Sequence, residues 1–175
     1  MNTKRRQEEL KDFTRTADGD LVYTGTMHYY GAENSQSFKV FIRDLLALSG
    51  VAAWSAVMAG CIRVPGMLNH WYVIIPYAIM LISAILLLWA GVRIAVSGTG
   101  LRDYVYKRTV EVLAPRAGSC MIFAAVTLVS YVIHIAVNGE GDYSRILIVV
   151  FPILLVISGV MSLLVIKFTK TIKWH

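Results

Sequence analysis

Charge is scarce over most of this 175-residue chain: Asp, Glu, Lys and Arg supply 16% of it, against 57% hydrophobic residues. A soluble domain carries about a quarter charged residues. The deficit is local. Charges gather before Asp44, between Arg93 and Arg116, and after Ile166, and apolar runs fill the intervals. No Asp, Glu or Lys lies deep in any of these runs. Buried intramembrane charges commonly mark proton and ion paths, so the sequence offers no such path.

Other absences narrow the chemistry. The two cysteines, Cys61 and Cys120, fall near opposite ends of different apolar runs. A disulfide needs Cα atoms within about 7 Å, so no internal bridge is expected, nor the close cysteine pair of a membrane thiol oxidoreductase. Two facing intramembrane histidines, as bis-His haem ligation requires, are missing. "SGTG", Ser97–Gly100, lacks the lysine and preceding strand of a nucleotide loop. No Ser-His-Asp pattern is present, and the first apolar run offers Ser49, Trp54 and Ser55 where four-helix multidrug exporters carry a carboxylate. No catalytic residue, cofactor or metal ligand is therefore assigned, and the chain is not expected to be an enzyme.

What is present is membrane-like. Four apolar runs, about 45–62, 71–95, 118–137 and 145–166, each approach the ~20 residues that cross a hydrocarbon core. Their lack of polar faces favours lipid over a buried soluble bundle. The predicted fold is an all-α membrane protein of four transmembrane helices in two antiparallel hairpins, with a short cytoplasmic β-hairpin before the first helix. "RVPGMLNH" and "NGEGDYS" are the tight outer connections. Pro76 and Pro152 sit in the outer halves of the second and fourth spans, before the similar runs "PYAIMLIS" and "PILLVIS". They predict kinks satisfied by neighbouring helices.

Orientation follows from Lys and Arg. With the N-terminus inside, 15 of the 17 basic residues fall on inner segments, leaving Arg63 and Arg145 outside. The positive-inside rule then places both termini in the cytoplasm of a cell (plasma or inner) membrane protein. The net charge of +6 is a topology signal; no nucleic-acid partner is expected, because the basic residues are spread and lack a binding motif. No cleavable signal peptide is expected, since the first apolar run starts past residue 40.

The chain divides into a polar tail over 1–20, a cytoplasmic collar over 21–43, and the four-helix domain over 44–175. Lys4–Arg6 in the tail reads as a topology determinant, with lipid binding as the alternative. In the collar, "LVYTGTMHYYGAENSQSFKVF" has β-branched and aromatic residues at period two, then turn-forming residues. It predicts a strand over Leu21–Tyr30, with Phe38–Ile42 either returning as a second strand or already opening span one. Tyr23, Tyr29, Tyr30 and Phe38, with Phe41, suit the headgroup zone. The linker 98–116 predicts an amphipathic helix capped by Thr99 and stopped or restarted at Pro115. It would lie at the headgroups or face a partner.

Three residue sets are candidates for function. Ala52, Ala56 and Gly60 recur every four residues and form a helix-packing seam, within the bundle or toward a partner subunit. Trp54, Tyr77, Ser83, Tyr131 and His134 could line a polar cavity. His70, His134, Glu140 and Asp142 could converge at the outer face. The leading reading is a non-enzymatic accessory, assembly or regulatory subunit. Its partners would be the lipid bilayer and a membrane protein or a second copy of itself. The alternative is a small oligomeric transporter or channel for an unidentified solute.

Overall fold

The structure, a computed structural model, describes residues 13–15, 21–34, 36–64, 70–139 and 144–175. In chain order the elements are β1 (Phe13–Arg15), β2 (Leu21–Tyr23), β3 (Met27–Tyr29), α1 (Phe38–Gly60), α2 (Trp71–Ser97), β4 (Gly100–Arg102), α3 (Asp103–Asn138) and α4 (Arg145–Lys170). All four helices are long and apolar enough to cross a bilayer. Their outward surfaces carry Ile82, Ile85, Val129, Ile133, Val149 and Val156. The buried surfaces mix large apolar residues such as Phe41, Met80, Leu87 and Phe151 with small and hydroxyl-bearing ones such as Ala52, Ala56, Ser158 and Ser162, and the small ones let helices approach closely in lipid.

The four spans lie where their hydropathy places them, but two helices extend further. α1 begins at Phe38, so Phe38–Ile42 opens the first span and is not a returning strand. α3 is 36 residues long, about 54 Å at 1.5 Å per residue. A core of about 30 Å cannot contain it, so its charged first part, Asp103–Arg116, stands clear of the apolar stretch.

That continuity corrects the separate linker helix. Pro115 removes the hydrogen bond to the carbonyl of Glu111 and was expected to interrupt the helix. Both residues are exposed, so the freed carbonyl faces outward, where solvent or headgroups can satisfy it. Thr99 does not cap: the N-cap is Arg102, whose side chain makes no capping bond to the first turn. Gly100–Arg102 is instead drawn into an antiparallel pair with β3, matching Met27 to Arg102, His28 to Leu101 and Tyr29 to Gly100.

The collar is therefore strand-like, with different partners from those expected. β2 pairs with β1 upstream, Phe13 opposite Tyr23. Beyond β3, Tyr30 bridges to Trp174. The Gly31 N–H donates to the Lys173 carbonyl at 3.1 Å, and Tyr29 and His175 exchange backbone bonds of 2.7 and 3.0 Å. The segment after β3 is thus held between the α2–α3 connection and the end of the chain.

Candidate functional site

Hydroxyl groups stitch the bundle interior. Ser158 of α4 donates to the Ala52 carbonyl of α1 at 3.1 Å, and the Cys120 sulfur of α3 lies 3.6 Å from the Ser158 oxygen. Tyr77 of α2 donates to the Ala56 carbonyl at 2.7 Å. Ala52 and Ala56 are fully buried, and their small side chains leave the carbonyls within reach of neighbouring helices. Gly60 extends the same seam: a Cβ there would collide with the Tyr77 hydroxyl. The seam packs within the bundle, against α2 and α4.

The proline in α4 has a specific partner. Pro152 lacks the N–H that would bond the Ile148 carbonyl. The Tyr131 hydroxyl of α3 donates to that carbonyl at 3.1 Å, and Tyr131 is 1% exposed. A neighbouring helix thus supplies the donor that proline removes, as a spanning helix requires.

The five candidate cavity residues occupy different surroundings. Trp54 is 60% exposed on the outer surface of α1. Tyr77 and Tyr131 flank Phe151, with ring centroids at 6.4 and 4.8 Å. Ser83 of α2 bonds Ser119 of α3 at 3.0 Å. His134 lies near the far end of α3, where its Nδ1 is 2.6 Å from the Tyr72 hydroxyl. Among the described residues, no buried side-chain nitrogen or oxygen lacks a partner.

Around His134 a small polar cluster forms. Its ring centroid is 4.5 Å from that of His70, and Asn138 Nδ2 lies 3.3 Å from its Nδ1. The Asn138 amide nitrogen, which also faces the His134 carbonyl at 3.1 Å, can only donate, so Nδ1 is the acceptor and the neutral ring carries its proton on Nε2. Glu140 and Asp142 lie outside the described residues. Among the described residues, no three metal-ligating side chains gather.

At the basic end the collar aromatics join in part. Tyr30 meets Phe38, Phe41 and Trp174 at centroid distances of 5.4, 5.5 and 5.6 Å, and Phe41 stacks on Phe168 at 5.5 Å. Tyr29 is exposed. Tyr23 takes the Arg102 guanidinium over its ring at 5.1 Å. His28 stacks on Tyr106 at 4.1 Å and places Nε2 3.1 Å from the Asp103 carboxylate. Hydrogen bonds from Lys107 and then His28 hold the Asp103 carboxyl below its ordinary range.

The feature that sequence reasoning missed is an outward-opening groove between α3 and α4. It measures about 220 Å³ and is lined by Met121, Ala124, Ala125, Leu128 and, across from them, Leu155, Val156, Gly159, Val160 and Leu163. A Cβ on Gly159 would lie 3.5 Å from that of Ala124, in ordinary van der Waals contact across the two helices. The signal was present as "AA" in α3 and the lone glycine of "VISGVMS" in α4. Nothing in either run fixes which faces meet. Comparisons with protein-family models, with curated proteins and with solved structures find no match to this chain.

Proposed function

We propose that this protein is a non-enzymatic accessory, assembly or regulatory subunit of a cell membrane, with both termini cytoplasmic. It would receive a transmembrane helix of a partner subunit in the α3–α4 groove. The groove carries this reading. It spans about two helical turns on each wall, enough to accept two successive knobs of a crossing helix. Its floor, Ala124, Ala125 and Gly159, is small enough for close backbone approach, the usual basis of helix association in lipid. The transport reading has less support, because Tyr77, Ser83, Tyr131 and His134 are engaged in bonds between helices or with each other's neighbours.

Photocrosslinking in native membranes tests the proposal. A crosslinking residue at Val156 or Val160 should give a discrete adduct with one other membrane protein. Gly159→Leu, which fills the groove, should abolish it. A crosslinker at Ile82, on the outward face of α2, should not give that adduct. Lipid adducts alone, or identical adducts from both faces, would refute the docking role; an adduct of twice the chain mass would make a second copy the occupant.

A further inference from the structure

Two arginines are anchored on one stretch of α2, Leu86–Trp89, toward the basic end of the α2–α3 seam. The register is set by Ser83 and Ser119, 3.0 Å apart, and by Arg116, whose Nη1 donates to the Leu86 carbonyl at 2.9 Å. The Leu86 carbonyl points along α2 toward Trp89, about 4.5 Å further down the axis at 1.5 Å per residue. From the other side, the Arg93 guanidinium lies over the Trp89 ring, 5.3 Å from its centroid. The carbonyl that holds Arg116 and the indole beneath Arg93 are therefore less than one helical turn apart on α2.

Among the described residues, neither cation has an acidic counterpart within ion-pair distance. The ion pairs among the described residues use Asp44, Asp103 and Glu33, and none involves Arg93 or Arg116. A cation near the low-dielectric edge of a bilayer favours a nearby anion more strongly than it would in water. Arg116 uses one of its guanidinium donors on Leu86, so others remain, and a guanidinium fork matches phosphate oxygens in pairs.

We propose that Arg93, Arg116 and Trp89 form a binding site for the phosphate of an anionic phospholipid. The occupant is argued from what continues past the arginines. Trp89, Leu86 and Ile82 follow one another along the exposed face of α2, giving an apolar track for an acyl chain. The indole is suited to the headgroup level. A zwitterionic headgroup would bring its own cation toward two guanidinium groups, whereas an anionic one brings none. An acidic protein would need no apolar track.

Fluorescence quenching of the full-length chain in nanodiscs tests this. Trp54, Trp71 and Trp174 are replaced by Phe, leaving Trp89 as the reporter. Brominated phosphatidylglycerol, as a minority lipid, should quench Trp89 more strongly than brominated phosphatidylcholine at the same mole fraction. Arg93→Gln should weaken the apparent affinity for the anionic lipid about fivefold, the effect of one basic residue near a charged surface. Arg93→Gln with Arg116→Gln should abolish the preference. The single variant keeps the Arg116–Leu86 bond between helices, so its melting should match the parent and the lipid effect can be read without loss of fold. Equal quenching by the two lipids in the parent, or an unchanged preference in Arg93→Gln, would overturn the site. A preference erased by inorganic phosphate at constant ionic strength would assign the arginines to a soluble anion and overturn the lipid.

Discussion

Tyr131 shows how much one hydroxyl can matter inside a membrane bundle. Its bond to the Ile148 carbonyl replaces the donor that Pro152 cannot supply. Removing the hydroxyl in Tyr131→Phe leaves a buried acceptor unsatisfied, a loss of about 1–3 kcal/mol. Pro152→Ala restores an N–H to the same carbonyl, so the tyrosine hydroxyl then becomes partly redundant. A thermal-denaturation cycle in detergent should find Tyr131→Phe clearly destabilising in the native background and weaker beside Pro152→Ala. Equal losses in both backgrounds would separate the hydroxyl from the proline. That a neighbouring helix would satisfy the carbonyl freed by Pro152 was legible in the sequence. The neighbour was not, because Tyr131 and Ile148 are brought together by how α3 and α4 rotate, which apolar runs do not encode.

At the scale of elements, the collar is the least local part of the fold. Its strand character could be read from alternating aromatic and β-branched residues, since that pattern is a property of the segment alone. Its partners could not. β3 pairs with β4, over seventy positions away, and Tyr30 with Trp174, neither of which carries a strong strand signal. The helices were legible for the opposite reason: each span is a continuous apolar run that announces itself. Pro115 misled because a proline ends a helix only when its freed carbonyl has nowhere favourable to go, and here it faces outward. The collar's construction makes a definite forecast. Truncation after Thr171 removes the bonds from Tyr29 and Gly31 to His175 and Lys173 and the Trp174 ring beside Tyr30. Hydrogen exchange in nanodiscs should accelerate at the Tyr29 and Gly31 amides, while Tyr30, whose N–H donates to the Thr99 carbonyl, and the buried centres of α1–α4 keep more of their protection. Unchanged exchange at the Tyr29 and Gly31 amides would show that the tail contributes nothing to the collar.

For the whole molecule, the distribution of charge predicts the threading. The basic residues Lys39, Arg43, Arg93, Arg102, Lys107, Arg108, Arg116, Lys167, Lys170 and Lys173 belong to one end of the bundle, and Arg63 and Arg145 to the other. With that end cytoplasmic, single-cysteine variants on a background lacking Cys61 and Cys120 should label from outside at Asn69 and Gly141. They should label only from inside at Ser97 and Trp174. Labelling of Trp174 from outside would reverse the assignment.

The uninterrupted α3 joins the two polar ends of the bundle in one continuous rod. Its collar end touches His28 through Asp103 and Tyr106, and its other end holds His134 beside His70. A rod about 54 Å long that tilts by about 5° about one end displaces the other by roughly 5 Å, a full side-chain diameter. A partner that shifts the collar would therefore be felt across the bilayer as a mechanical stroke, with no group having to travel through the membrane.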